Sequence, residues 1–85
     1  MLNNKVNIIK IPCPVCNNPF FDSEDFPGSY FICPKCDWED DDVQYYDANF
    51  EGGANDISLN QARMNYKLYG TSDPVRNVNK INISL

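Results

Sequence analysis

Four cysteines in two closely spaced pairs constrain this chain more than any other feature. Cys13 and Cys16 form the first pair and Cys33 and Cys36 the second, and two residues separate the members of each pair. Sixteen residues lie between the pairs. This spacing is typical of a tetrahedral Cys₄ site, in which two tight turns each present two sulfurs to one metal ion. We therefore predict a structural zinc site made by these four side chains.

The residues inside and after each pair suit such turns. Pro14 and Pro34 occupy equivalent places and restrict the backbone by fixing φ. The residue that follows the second cysteine often takes a positive φ, where glycine is common. Asn17 and Asp37 hold these two places, and Asn and Asp tolerate that region better than most other residues.

Three other uses of the cysteines compete with zinc binding. Two disulfides would require an oxidising compartment, and residues 1–7 lack the apolar segment of a signal peptide, so we expect a cytoplasmic protein. A redox-active dithiol would belong to a larger βαβ pattern that this chain does not show. Iron remains an alternative to zinc, because tetrahedral S₄ sites bind either metal.

The length of 85 residues predicts one metal-stabilised domain over residues 1–85. A domain of this size has a small hydrophobic core, and metal binding contributes on the order of 10 kcal/mol to folding. The ion is therefore expected to be part of the fold. No apolar run approaches the roughly 20 residues of a membrane span, so no membrane association is expected.

The charge distribution is strongly one-sided. The net charge is −5, and the stretch from residue 37 to residue 62 contains acids but no lysine or arginine. Proteins that bind nucleic acid normally present a basic face to the phosphates, so we do not expect nucleic-acid binding. The acids of this stretch are Asp37, Glu39, Asp40, Asp41, Asp42, Asp47, Glu51 and Asp56.

The order of elements predicts a small α+β fold. Strands are expected over residues 5–11 and 29–32, with a short extended piece over 19–21 and a further strand over 43–46. With metal-binding turns over 13–36 and an acidic segment over 37–56, this pattern indicates a zinc-ribbon or rubredoxin-like antiparallel sheet. One C-terminal helix is expected to dock on it, followed by a tail over 71–85.

The helix is predicted over residues 59–69. Ser58 and Gln61 form a capping box, and Gly70 stands where a left-handed residue ends many helices. An apolar face is expected to pack on the sheet. Arg63, on the first turns, is expected to pair with Asp56 or with an acid of the 39–42 run. The face consists of Leu59, Ala62, Tyr66 and Tyr69.

Several segments together resemble the cysteine-rich CPCC family of small bacterial proteins. They are Cys13-Pro-Val-Cys16, the segment from Pro27 to Cys36, Trp38-Glu-Asp-Asp41, Gln44, Gly52-Gly-Ala-Asn55 and Ser58-Leu-Asn-Gln-Ala-Arg63. The resemblance covers roughly residues 11–69. Val15 departs from it, because the family name implies a third cysteine at this place. The resemblance implies a metal-bound domain, and a small acidic protein of this kind suits the role of an immunity partner to a bacterial toxin.

The acidic segment is predicted to bind a basic protein partner such as a toxin or nuclease. Trp38 is expected to pack over the metal site, while the partner surface is formed by Glu39, Asp40, Asp41, Asp42, Tyr45 and Tyr46. The chain contains no histidine, the commonest general base, and no enzyme activity is expected. The predicted function is a non-catalytic interaction module. The alternatives are a rubredoxin-like electron carrier and a small enzyme of unknown reaction.

Overall fold

The computed structural model describes residues 9–77 and contains two short strands and two helices. The strands are β1 (Lys10–Pro12) and β2 (Pro19–Asp22), and the helices are α1 (Asp42–Tyr46) and α2 (Leu59–Tyr69). The small α+β architecture is confirmed. It consists of a two-stranded antiparallel sheet, one main helix and a cluster of the four cysteines.

The sheet is formed by the chain on either side of the first cysteine pair. Lys10 lies opposite Asp22 and Ile11 lies opposite Phe21, with an irregularity in the register just before Pro12. The extended piece predicted over residues 19–21 is present in β2. Of the strand predicted over 5–11, residues 5–8 lie outside the described part, as do residues 78–85 of the predicted tail.

The strand predicted over residues 29–32 is wrong in extent. Only one antiparallel bridge forms there, between Ile32 and Glu39. Tyr30 interrupts the extended backbone with a φ of 62°. Its N–H donates to the carbonyl of Asp40, and the hydroxyl of Ser29 accepts from the N–H of Phe31. The local bond at Ser29 and the bond to the distant carbonyl of Asp40 together hold Tyr30 in this conformation, so the strand remains short.

The strand predicted over residues 43–46 is also wrong, because these residues lie in helix α1. Asp41 is the N-cap, and its carboxylate accepts from the N–H of Gln44. The β-branched and aromatic side chains of this segment favour a strand. The cap, together with the burial of Gln44, outweighs that preference.

Helix α2 covers the residues for which a helix is predicted. Ser58 accepts from the N–H of Gln61, and the Gln61 side chain accepts from the N–H of Ser58, so the capping box is complete. Gly70 ends the helix in the left-handed conformation with a φ of 78°. Both ends of α2 are therefore set by its own sequence.

The core joins the helix to the cysteines. Leu59 and Ala62 of α2 are buried and Tyr66 is half-buried, whereas Tyr69, predicted on the same face, is 42% exposed. The apolar face is thus shorter than predicted. The buried core consists of Cys13, Phe21, Cys33, Cys36, Trp38, Leu59 and Ala62.

The first residues of the predicted C-terminal tail belong to the packed structure. Thr71, Ser72 and Asp73 are all buried. The N–H of Ser72 donates to the carbonyl of Cys36 over 2.8 Å, and the hydroxyl of Thr71 donates to the same carbonyl. The chain that leaves α2 therefore returns directly to the second cysteine pair.

Candidate metal centre

The two cysteine pairs are built on the same backbone turn. In the first, the N–H of Cys13 donates to the carbonyl of Asn18, and the N–H of Asn17 donates back to the carbonyl of Cys13. In the second, Cys33 bonds in the same way to Trp38 and Asp37. The four distances lie between 2.8 and 2.9 Å. The repeated turn explains why two residues separate the cysteines of each pair.

The positive φ values predicted for these turns are present. Asn17 has a φ of 68° and Asp37 a φ of 71°. This conformation lets the chain reverse after the second cysteine, so both sulfurs of a pair face the same side. Asn and Asp adopt it with less strain than a bulky residue would.

The two turns bring all four sulfurs together. The Sγ atoms lie within 4.8 Å of one another. Two contacts of 3.6 Å cross between the turns, from Cys13 to Cys36 and from Cys16 to Cys33. Three of the cysteines are buried, and Cys16 is half-buried. The four side chains are positioned to bind a metal ion, and soft thiolate donors in this number suit zinc or iron.

Two N–H donors approach the cysteine sulfurs. The N–H of Val15 approaches the sulfur of Cys13 at 3.5 Å, and the side-chain amide of Asn18 approaches that of Cys33 at 3.9 Å. Donors aimed at sulfur favour the thiolate, which is the form that binds metal. These contacts fit a site that holds negatively charged ligands.

The pKa values of the cysteines reflect contacts between the sulfurs. The hydrogen bond with Cys36 lowers the pKa of Cys13 to about 6. The same bond, with burial second, raises the pKa of Cys36. Burial raises the pKa of Cys16 to about 11. A bound cation must replace these protons, so metal binding at neutral pH is coupled to proton release.

Helix α2 is tied to the first turn by Arg63. Its Nε–H donates to the carbonyl of Pro14 over 2.8 Å, and a terminal nitrogen donates to the side chain of Asn60. The predicted ion pair with Asp56 or with an acid of the 39–42 run is therefore wrong. The main chain of the metal turn is the partner instead, which braces the helix against the cysteines.

Trp38 packs inside the cluster, as predicted. Its side chain is fully buried in the same core as Cys33 and Cys36. Phe21 and Leu59 belong to this core as well. The metal site and the hydrophobic core of the described residues are therefore one structural unit.

The acidic run beside Trp38 is divided between buried and exposed positions. Asp40 and Asp41 are 1% and 5% exposed, so they do not belong to an open acidic edge in this structure. Glu39 is half-buried, and Asp42 is exposed. Of the aromatic residues predicted to bind a partner, Tyr46 is 77% exposed and Tyr45 is 37% exposed.

The Asp40 carboxylate organises the loop that precedes the second cysteine pair. Its Oδ2 accepts from the N–H groups of Gly28 and Ser29 and from the Ser29 hydroxyl, at 2.7 to 2.9 Å. Three donors on one carboxylate oxygen are a strong reason for its burial. The residue therefore serves the fold near the metal site.

Replacing Asp40 with asparagine is expected to lower the free energy of unfolding by about 1–3 kcal/mol, because the three donors lose a charged acceptor. Urea unfolding of the zinc-loaded protein measures the change. Asp42→Asn is the matched control, since Asp42 is exposed, and it should leave stability unchanged. Equal effects of the two substitutions would contradict the role of Asp40.

A second polar network, centred on Gln44, is not predicted from the sequence. The side-chain amide of Gln44 donates to the carbonyls of Phe50, Asn55 and Ile57, and its oxygen accepts from both the backbone and the side chain of Asn55. Asn55 in turn pairs with the N–H and carbonyl of Glu39. The network thus joins α1, the loop before α2 and the strand-like segment that leaves the metal site.

The one sequence signal for this network is the glycine pair before Asn55. A Cβ on Gly53 would lie 2.6 Å from Oδ2 of Asp41 and 2.9 Å from Cδ of Gln44. Only glycine lets the backbone approach so closely.

Within residues 9–77, neither helix has the length and apolar character needed to cross a membrane.

Comparisons with known proteins agree with the clustering of the four cysteines. No curated protein matches the chain. A family model described as cysteine-rich CPCC matches residues 11–83, which include all four cysteines, both helices and the Gln44–Asn55 network. The chain belongs to the cysteine-rich CPCC family.

Proposed function

We propose that this chain is a non-catalytic, zinc-binding protein-interaction module that acts in the cytoplasm. In its most specific form it is an acidic inhibitor, such as an immunity protein, that covers a basic toxin or nuclease. Metal binding is supported by the cluster of four sulfurs, which lies inside the only hydrophobic core found in residues 9–77.

The donor set favours a structural ion over a catalytic one. Four cysteines fill the four positions of a tetrahedral zinc ion, whereas catalytic zinc keeps a position open for water or substrate. A bound ion would cross-link the two turns through Cys13, Cys16, Cys33 and Cys36. The ion would then stabilise the core, and the protein surface would remain available to bind a partner.

The affinity for zinc is expected to rise by at least about a hundredfold per pH unit around neutral pH. The pKa values of Cys16 and Cys36 are raised, so both thiols are protonated at neutral pH and each must release a proton when zinc binds. Lower pH therefore weakens binding. Competition with a chromogenic chelator, corrected for protonation of the chelator, measures the slope. An affinity independent of pH would contradict the assignment.

Charge supports a basic partner. The net charge is −5, and many acids of the described part are exposed. Such a surface accelerates encounter with cationic proteins and repels nucleic acid. The two deeply buried acids of the run are held by backbone amides. They are therefore engaged in the fold rather than set for acid–base chemistry. The exposed acids are Glu24, Asp25, Asp42, Asp47, Glu51 and Asp56.

Native mass spectrometry of the protein, purified at low salt from the cells that make it, tests this proposal. We expect one zinc ion per chain and a stoichiometric basic protein, which dissociates as salt rises from about 50 to about 500 mM because exposed charge contacts are screened. One iron ion and a reducible red colour would support the electron-carrier alternative instead. A complex that resists high salt would contradict the electrostatic part.

A further inference from the structure

The outer surface of α1 alternates acidic and apolar side chains. We define the α1 face as Asp42, Val43, Tyr46 and Asp47. Val43 is 53% exposed and Tyr46 is 77% exposed, and both acids are exposed. Asp42 begins the helix and Asp47 is its C-cap, so an acid stands at each end of α1. Tyr46 follows Asp42 by four residues and therefore lies on the same side of the helix. The face therefore offers carboxylates and an open aromatic ring together.

A chain of ring contacts supports this face from behind. Phe21, which is fully buried, contacts Phe26, and Phe26 packs edge-to-face on Tyr45 with centroids 5.0 Å apart. Tyr45 contacts Tyr46 at 5.2 Å in the same edge-to-face manner. Gln44, also on α1, is fully buried and hydrogen-bonded. The face is thus fixed before any partner arrives, which lowers the entropy lost on binding.

The two acids of the α1 face are not neutralised within the described structure. Oδ1 of Asp42 accepts from the N–H of Val43, and Oδ1 of Asp47 accepts from the N–H of Asn49. Among residues 9–77, no lysine or arginine lies within ion-pair distance of either carboxylate. Their charge is therefore available to a cation from outside this part of the chain.

We propose that the α1 face binds an arginine-bearing surface of a basic partner protein. This inference rests on the proposed function and names the surface that performs it. A guanidinium group can pair with the carboxylate of Asp42 or Asp47 while it stacks on the ring of Tyr46. Lysine matches this arrangement less well, because its ammonium group is strongly hydrated and lacks a planar face.

Charge argues against a second copy of this chain as the occupant. Two molecules of net charge −5 repel each other. An isologous contact through the α1 face would also place Asp42 and Asp47 of one copy near the same acids of the other. A cationic protein meets neither obstacle.

The test uses the zinc-loaded full-length protein and a fluorescein-labelled peptide of alternating arginine and glycine. In a nitrogen-15 NMR titration with this peptide, the amides of residues 42–47 should shift most. The arginine peptide should bind about threefold or more tightly than its lysine counterpart, because only arginine stacks on Tyr46.

Variants then separate the α1 face from general negative charge. Asp42→Asn with Asp47→Asn should weaken peptide binding about tenfold, and Tyr46→Ala about fivefold, whereas Tyr46→Phe keeps the ring and should bind nearly as the natural protein does. Asp56→Asn changes the charge at an exposed position that is not part of the α1 face and should alter affinity less than about twofold. Zinc content and thermal unfolding confirm that each variant is folded.

The outcomes distinguish this inference from the proposed function. Binding with the largest shifts around Glu51 and Asp56, or an equal loss from Asp56→Asn, would overturn the α1 face and leave the basic-partner proposal in place. No binding of either peptide at low salt would overturn both. Concentration-dependent dimerisation with shifts in residues 42–47 would show that a second copy occupies the face, which overturns the inference.

Discussion

Replacing Cys33 with serine is expected to unfold the protein. Cys33 is fully buried, and its sulfur lies 3.6 Å from that of Cys16. A structural zinc ion contributes roughly 10 kcal/mol or more, which matches or exceeds the whole net stability of about 5–15 kcal/mol for a domain. Loss of one thiolate should therefore remove both the ion and the cooperative fold. Loss of near-ultraviolet dichroism and exposure of Trp38 to water, detected by fluorescence, measure the effect.

The control for this substitution lies in the same turn. Lys35 stands between Cys33 and Cys36 and is exposed. Lys35→Ser introduces the same new residue without touching a sulfur, so zinc content and unfolding should match those of the natural protein. A Cys33→Ser protein that unfolds cooperatively at an unchanged denaturant concentration would show that the metal is dispensable to the fold.

Replacing Gln44 with alanine is expected to lower the free energy of unfolding by roughly 3–5 kcal/mol. The side chain is fully buried and its amide bonds to the carbonyls of Phe50, Asn55 and Ile57 at 2.9 to 3.1 Å. The truncation leaves these carbonyls, and the donors of Asn55, without their partner in the interior. It also opens a cavity. Urea unfolding of the zinc-loaded protein gives the magnitude.

Gln61→Ala provides a matched comparison for the Gln44 prediction. Gln61 is exposed, and its oxygen accepts one backbone hydrogen bond in the capping box. Its truncation should cost only about 0.5–1 kcal/mol, because water replaces the lost contact. Similar losses from the two substitutions would mean that the Gln44 network adds little to stability.

The parts that were predictable from sequence are those with short-range causes. The paired cysteines, and the positive φ values of Asn17 and Asp37, follow from a turn of about five residues that occurs twice. Helix α2 carries both of its end signals, at Ser58 and Gly70. In each case the residues that define the structure are close neighbours in the chain. Local patterns therefore sufficed for the metal site and the main helix.

The errors arise where distant residues decide the structure. The segment 43–46 has the composition of a strand. It is helical because the helix directs the buried amide of Gln44 toward its acceptors, which are carbonyls of residues 50–57. Tyr30 adopts a positive φ because its N–H donates to the carbonyl of Asp40 and the N–H of Phe31 donates to the hydroxyl of Ser29. The periodicity of the sequence does not indicate hydrogen-bond partners that lie far apart in the chain.

The predicted partner surface shows the same limit. Composition identified an acidic run but could not tell which acids point inward. Asp40 and Asp41 accept hydrogen bonds from Gly28, Ser29 and Ala54, which are 11 to 13 residues away. Asp42, the next residue, is exposed. Contacts between loops therefore decide which acids of the run are buried. The expected recognition surface is instead the outer side of α1.

A zinc titration of the metal-free protein under reducing conditions, followed by nitrogen-15 NMR, tests the central claim most directly. If the four cysteines hold the core through a metal, the metal-free spectrum should show poorly dispersed amide signals. One equivalent of zinc should then produce a single dispersed spectrum, with the largest changes at residues of both cysteine turns and at Trp38. A dispersed spectrum before zinc is added, unchanged by one equivalent, would contradict the account.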